Sequence, residues 1–125
     1  EEYQIGDFLI RNVVGVDPEQ KAVVVADYLR VGQTVQFHIR DHESASLELN
    51  QLLSQLETPY AAALLFTCNG RGTRMFEVES HDAATLSKHL GSIPVTGIFA
   101  QGELGPVGGK NFLHGFTASI IAFES

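Results

Sequence analysis

The sequence predicts an α+β domain, a mixed and largely antiparallel β-sheet of about six strands with two main helices. The predicted order is β-β-β-α-β-α-β-β. Three observations carry this. Tyr60 to Cys68 is an apolar run long enough for one strand and apolar on both alternating faces, the mark of a central strand covered twice. Two stretches, His42 to Glu57 and His81 to Leu90, place leucines and alanines at helical spacing. Thr34 to Arg40 alternates strictly, with Val35, Phe37 and Ile39 on one face and Gln36, His38 and Arg40 on the other, the cleanest strand pattern in the chain.

Taken in order, Phe8 to Val16 and Ala22 to Asp27 read as β-branched strands joined at Asp17-Pro18-Glu19-Gln20, a hairpin. Val31-Gly32-Gln33 turns into the third strand, whose wetter face leaves His38 and Arg40 in solvent. Asp41 is placed to cap the first helix, which buries Ala45, Leu49, Leu52, Leu53 and Leu56 and ends at Thr58-Pro59. After the central strand, Asn69-Gly-Arg-Gly72 reads as a tight turn. Thr73 to Glu79 is ambiguous between regular structure and a mobile surface segment. Ser80 is the expected cap of the second helix, Ala83, Leu86 and Leu90 its inward face, and Gly91 its stop. Pro94 to Gln101 is a strand, Gly102 to Gly109 a glycine-rich loop, and Phe112 to Phe123 one long closing strand. Right-handed crossovers would bring Arg40-Asp41, Cys68 to Gly72 and Gly102 to Gly109 to one sheet edge. A glycine-rich loop at the end of a central strand is a common ligand position.

A chain of 125 residues fits a single domain, residues 1–125, with a real core. It does not start with Met, as a fragment of a longer polypeptide would not. Eight basic against fifteen acidic residues give a net charge of −7, which argues against a basic footprint for nucleic acid. No apolar run reaches the ~20 residues of a membrane span. The lone Cys68 rules out an intramolecular disulfide framework, so a cytoplasmic setting is the default.

No cofactor is expected. Gly109-Lys110 lacks the earlier glycine and the following Ser or Thr of a phosphate loop, because Leu104 and Asn111 stand there. Gly70-Arg71-Gly72 has Met75 where a dinucleotide fingerprint needs its third glycine. The five histidines and one cysteine show no metal-ligand spacing. Two chemistries stay open. Cys68 is either a small buried hydrophobe or a nucleophile for acyl transfer, with His114 as base and Glu103 as orienter. Arg71 is either a solvated loop tip or a guanidinium gripping a ligand carboxylate bidentately, and Glu103 either faces solvent, holds an amine or pairs with Arg71.

The ordered set Phe66-Thr-Cys-Asn-Gly-Arg-Gly72, Gly97-Ile-Phe-Ala-Gln-Gly-Glu-Leu-Gly-Pro-Val-Gly-Gly109 and Phe112-Leu-His-Gly-Phe-Thr117 resembles the C-terminal domain of the FIST (F-box and intracellular signal transduction) family. Phe8 to Asp17 and Val31-Gly-Gln33 resemble the family's entry region, so the likeness covers nearly the whole chain. The resemblance implies a non-enzymatic sensory domain for small ligands, amino acids among them, in bacterial signalling proteins. It also implies a preceding FIST N domain or signalling modules as partners. The matching motif residues are Cys68, Gly70, Arg71, Gly72, Gly102, Glu103, Gly105, Pro106 and His114. With Arg40 and Asn69 from the converging ends, these are the expected ligand-binding residues. The rival expectations are the Cys68/His114 enzyme and a protein-interaction module that takes no small ligand.

Overall fold

The computed structural model describes Tyr3, residues 7–57 and residues 59–125. Its class is α+β, as the sequence predicts, with the strands divided among three sheets. Strands β1 (Val13–Asp17) and β2 (Ala22–Val25) form the expected antiparallel hairpin, shorter than the apolar runs that suggested it. Its turn is closed by the Gln20 amide, which donates to Asp17 Oδ1 at 2.9 Å.

Helix α1 (His42–Ser54) begins where the sequence places it. Asp41 is extended, and its carboxylate accepts from the Ser44 amide at 2.7 Å and the Ser44 hydroxyl at 2.8 Å. These bonds satisfy a first-turn amide and hold the Asp41 pKa below its usual value. The helix stops before the expected Glu57; Thr58, half of the predicted stop, lies outside the described residues.

Strand β3 (Tyr60–Cys68) is central, between β4 (Val95–Ala100) and β7 (Ala118–Glu124). The link from β3 to β4 runs through α3 (His81–Leu90) and returns parallel, with Cys68 beside Ala100. β7 is antiparallel to β3. Ala63, Leu65 and Thr67 are buried on one face of β3, where Leu49 and Leu53 of α1 and Leu86 and Leu90 of α3 complete the core. Leu64 and Phe66 on the other face are only half-buried, so the helices cover one side of the sheet. Leu52, expected inside, faces solvent. β4 approaches β3 so closely that a Cβ on Gly97 would run into the Leu65 carbonyl.

Three expectations are corrected. Thr34 to Arg40 forms no strand and belongs to no ladder, since alternation makes a strand only where a partner edge is supplied. Ser80 precedes α3 in a left-handed conformation (φ 56°) and makes no side-chain cap bond, because a cap needs extended geometry to reach the first-turn amides. Part of Thr73 to Glu79, which the sequence leaves open, forms the single turn α2 (Gly72–Met75). The long closing strand is two. β6 (Lys110–His114) pairs with β5 (Glu103–Val107), while β7 joins the central sheet. The break falls at Phe116, whose φ of 64° cannot continue a strand. The glycine-rich loop is therefore largely the β5–β6 hairpin, turned by Gly108 and Gly109 at positive φ. Gly91 ends α3 as expected.

Leu86 is fully buried between the helices and the sheet. Leu86→Ala should cost about 2–5 kcal/mol by lost transfer energy and the cavity left behind, read as a lower urea midpoint at an unchanged slope.

Candidate functional site

The C-terminal ends of the parallel strands β3 and β4 lie side by side, and the Asn69 amide donates to the Ala100 carbonyl at 2.8 Å. The expected meeting of Cys68–Gly72 with the start of the Gly102 tract is thus formed. The turn closes with the Arg71 amide donating to the Cys68 carbonyl at 2.9 Å, and α2 starts at Gly72.

Phe116 is the hub of the site. Its ring lies against Gly70, where a Cβ would collide with the ring edge. Over the ring face sits the Arg40 guanidinium, 3.5 Å from the centroid, a cation–π contact of close geometry. The Phe116 carbonyl accepts from Arg71 Nη1 at 3.3 Å. A bulky residue at positive φ persists only where its surroundings over-determine it, and these three contacts do so.

Arg71 is neither the solvated tip nor the ligand-gripping fork of the sequence expectation. It is 5% exposed, and its bidentate carboxylate is the chain's own Asp82, at 2.7 Å from Nε and 2.8 Å from Nη2. It does not pair with Glu103. Burial alone would raise the Asp82 pKa, but the hydrogen bonds from Arg71 and then His81, with their charges, outweigh it and hold the carboxyl below its usual range. His81 stacks on Phe76 at 3.6 Å and bridges Asp82 Oδ1 (3.0 Å) to the Ser46 hydroxyl (3.1 Å). This chain of contacts ties α1, α3 and the turn after β3 into one body.

Glu103 is also buried, at 4% exposure. Oε2 accepts from the Thr117 hydroxyl at 2.8 Å, and Oε1 has no protein partner among the described residues. His114 is its register partner on β6 and spends Nε2–H on the Gly105 carbonyl at 2.9 Å. Cys68 is buried, and its Sγ accepts weakly from the Gly70 amide at 3.5 Å. No hydrogen bond joins Cys68, His114 and Glu103 among the described residues, so the relay that acyl transfer would use is not assembled. Pro106 is exposed on the hairpin arm opposite Asn111, away from the other loops.

Arg40, His114 and Phe116 instead line an open crevice of ≈ 340 Å³ together with Arg11, Asn12 and Asp27. Arg11 pairs with Asp27 at 2.7 Å and donates to the Leu113 carbonyl at 3.1 Å, fastening the entry hairpin to β6. That pair, and then the Tyr28 amide, hold the Asp27 pKa low. Arg40 donates Nη2 to Asn12 Oδ1 at 2.8 Å and has no acidic partner among the described residues. No cluster of ligating side chains suited to a metal occurs among them either, and no helix there is long and apolar enough to cross a membrane.

Sequence reasoning missed Phe116, Asp82, Arg11, Asn12 and Asp27. Gly115 was the signal for a break at Phe116, hidden by an apolar alternation that runs straight through it. Asp82 stands where any first helical turn favours an acid, so nothing marked it as an ion-pair partner.

Fold and site together define a small α+β domain with loops gathered at one sheet edge beside an arginine-lined crevice. The family model described as FIST C domain matches residues 2–106, and the chain belongs to that family, whose members are sensory-type domains of signal transduction. "Uncharacterized protein Rv0628c" of Mycobacterium tuberculosis (strain ATCC 25618 / H37Rv) is 50% identical over 122 residues, covering 94% of this chain and 32% of the relative. "Uncharacterized protein Mb0898c" of Mycobacterium bovis is 48% identical over 122 residues, with the same coverage of 94% and 32%. The chain therefore spans about a third of the length of these curated relatives. No solved structure matches it.

Removing one partner of the buried Arg71–Asp82 pair should cost about 3–5 kcal/mol, because the other charge is left uncompensated. Arg71→Ala should accordingly lower the melting temperature sharply. Because the folded Asp82 pKa lies below its ordinary value of 3.8, the stability it contributes is complete above that pH. It is lost as pH falls through the depressed folded value. Acid titration of stability should show this loss below about pH 4, and Asp82→Asn should flatten that part of the curve.

Proposed function

We propose that this is a non-enzymatic sensory domain that binds a small carboxylate, an amino acid being the favoured class, in the crevice over Phe116. The single observation that carries the reading is Arg40. It is the guanidinium at the site with no ion-pair partner among the described residues, held flat by Phe116 and steadied by Asn12. A fork fixed in this way keeps donors for a planar carboxylate and loses little freedom on binding. Asp27 also lines the crevice, but its charge is taken up by Arg11, so the carboxylate end of a ligand is the end the site recognises. A crevice near 340 Å³ falls within the usual range for small ligands.

Signalling follows from what the crevice joins. Asn12 and Arg40 come from the first third of the chain, His114 and Phe116 from the C-terminal hairpin, so a ligand held between them couples the two. Only a ligand that binds one arrangement better than another shifts their balance. The expected setting is cytoplasmic, with a FIST N domain or signalling modules as partners. Cys68, Asn69, Gly70, Arg71, Gly72, Gly102, Glu103 and Gly105 then serve the ligand indirectly, by shaping the floor under Phe116 and the hairpin beside it.

A thermal-shift screen of glycine, larger amino acids and acetate tests this. A positive ligand should bind about 10- to 100-fold more weakly to Arg40→Gln, the loss of charge-assisted hydrogen bonds, while the unliganded melting temperature falls only slightly, by the loss of one exposed cation–π contact. Equal affinity in Arg40→Gln would remove Arg40 as the anchor.

A further inference from the structure

The strongest strand pattern in the sequence is the one the structure leaves without a ladder. Thr34 to Arg40 carries no regular secondary structure, and none of its backbone groups joins a sheet among the described residues. Both of its faces are exposed. On the polar face His38 still rests against the Phe8 ring at 4.5 Å and Arg40 on Phe116. The apolar face points outward, with Val35, Phe37 and Ile39 at 57%, 76% and 90% exposure. Nearby in sequence, Val14, Val16 and Val24 of the β1–β2 hairpin are exposed too. A two-stranded hairpin alone is marginally stable in water, and an exposed apolar edge invites pairing.

We propose that Thr34–Arg40 is a docking strand that adds to an open sheet edge in the remaining two-thirds of the longer polypeptide. Its backbone would supply the ladder, and Val35, Phe37 and Ile39 would be buried against the sheet they join. Drawn out as a strand, seven residues would reach about 23 Å, enough for an ordinary ladder, and β-strand addition uses this division of labour between backbone and alternate side chains. The occupant is assigned from length. The mycobacterial relatives cover 94% of this chain at about half identity yet are three times as long. A neighbour in the same polypeptide acts at an effective concentration near millimolar, which a second copy does not reach.

Hydrogen exchange tests the assignment in two settings. In the 125-residue chain, amides of Thr34–Arg40 should exchange at close to unfolded rates. In a full-length mycobacterial relative, the matching segment should exchange about 100-fold more slowly or better, as paired strands do. Fast exchange in the full-length relative would overturn the proposal. So would slow exchange in the isolated chain, since the segment would then have found its partner there. Phe37→Asp combined with Ile39→Asp provides a second readout. The isolated chain should keep its melting temperature and be monomeric by light scattering with either sequence. A lower melting temperature would place these side chains in the chain's own core, and a dimer dispersed by the substitutions would make a second copy the occupant. Either result overturns the proposal.

Discussion

The buried Arg71–Asp82 pair is the constraint on which the site depends. Arg71 leaves the end of β3, Asp82 sits in the first turn of α3, and the third edge of the guanidinium reaches the Phe116 carbonyl between β6 and β7. One side chain thereby fixes three segments that are far apart in sequence. An arginine suits this task because its planar fork meets a carboxylate with two bonds and keeps a further edge for a carbonyl. The cost is desolvation of both charges, which a bidentate geometry with added hydrogen bonds from His81 offsets. Apolar residues of equal volume could fill the space, but they would not set the direction of the Phe116 carbonyl.

That direction governs the chemistry. Phe116 adopts left-handed backbone geometry, which costs on the order of 1–3 kcal/mol and survives only under external constraint. The constraint comes from Arg71 below and from Gly70, whose missing Cβ lets the ring lie on the backbone. The ring then presents a face to Arg40. The two site arginines therefore divide the work. The buried one builds the platform and is consumed by the chain's own carboxylate; the exposed one lies on the platform and keeps its donors. Cys68 and Glu103 are both buried, and no hydrogen bond joins them among the described residues.

How much of this was legible follows from which interactions are local. Asp41 capping α1, the leucine stripes apart from Leu52, the β1–β2 turn and the central place of Tyr60 to Cys68 are written in neighbouring residues, and each is formed. The gathering of Cys68 to Gly72 near Gly102 followed from the handedness of one crossover. What could not be read depends on distant partners. The alternation of Thr34 to Arg40 states a β-preference without saying which edge satisfies it. The apolar pattern from Phe112 to Phe123 is continuous across a backbone reversal because both daughter strands bury side chains at the same period. The choice between Arg71 and Arg40 as the free cation turned on Asp82, an acid whose place in a first helical turn needed no other explanation.

Arg40 joins the crevice to the strand. It is the last residue of the alternating segment, and its guanidinium is also the proposed ligand anchor. A ladder along Thr34 to Arg40 would fix the backbone that carries this side chain, and a carboxylate on Arg40 would restrain the same backbone from the other side. Two events that each order one segment must favour each other, since the second no longer bears the entropy already lost in the first. The coupling is reciprocal, so whatever a docked sheet adds to ligand affinity the ligand adds to docking. A sensory domain needs such a shared element. In this reading it is the seven-residue segment Thr34 to Arg40, which ends at the crevice in Arg40 and leaves Val35, Phe37 and Ile39 exposed.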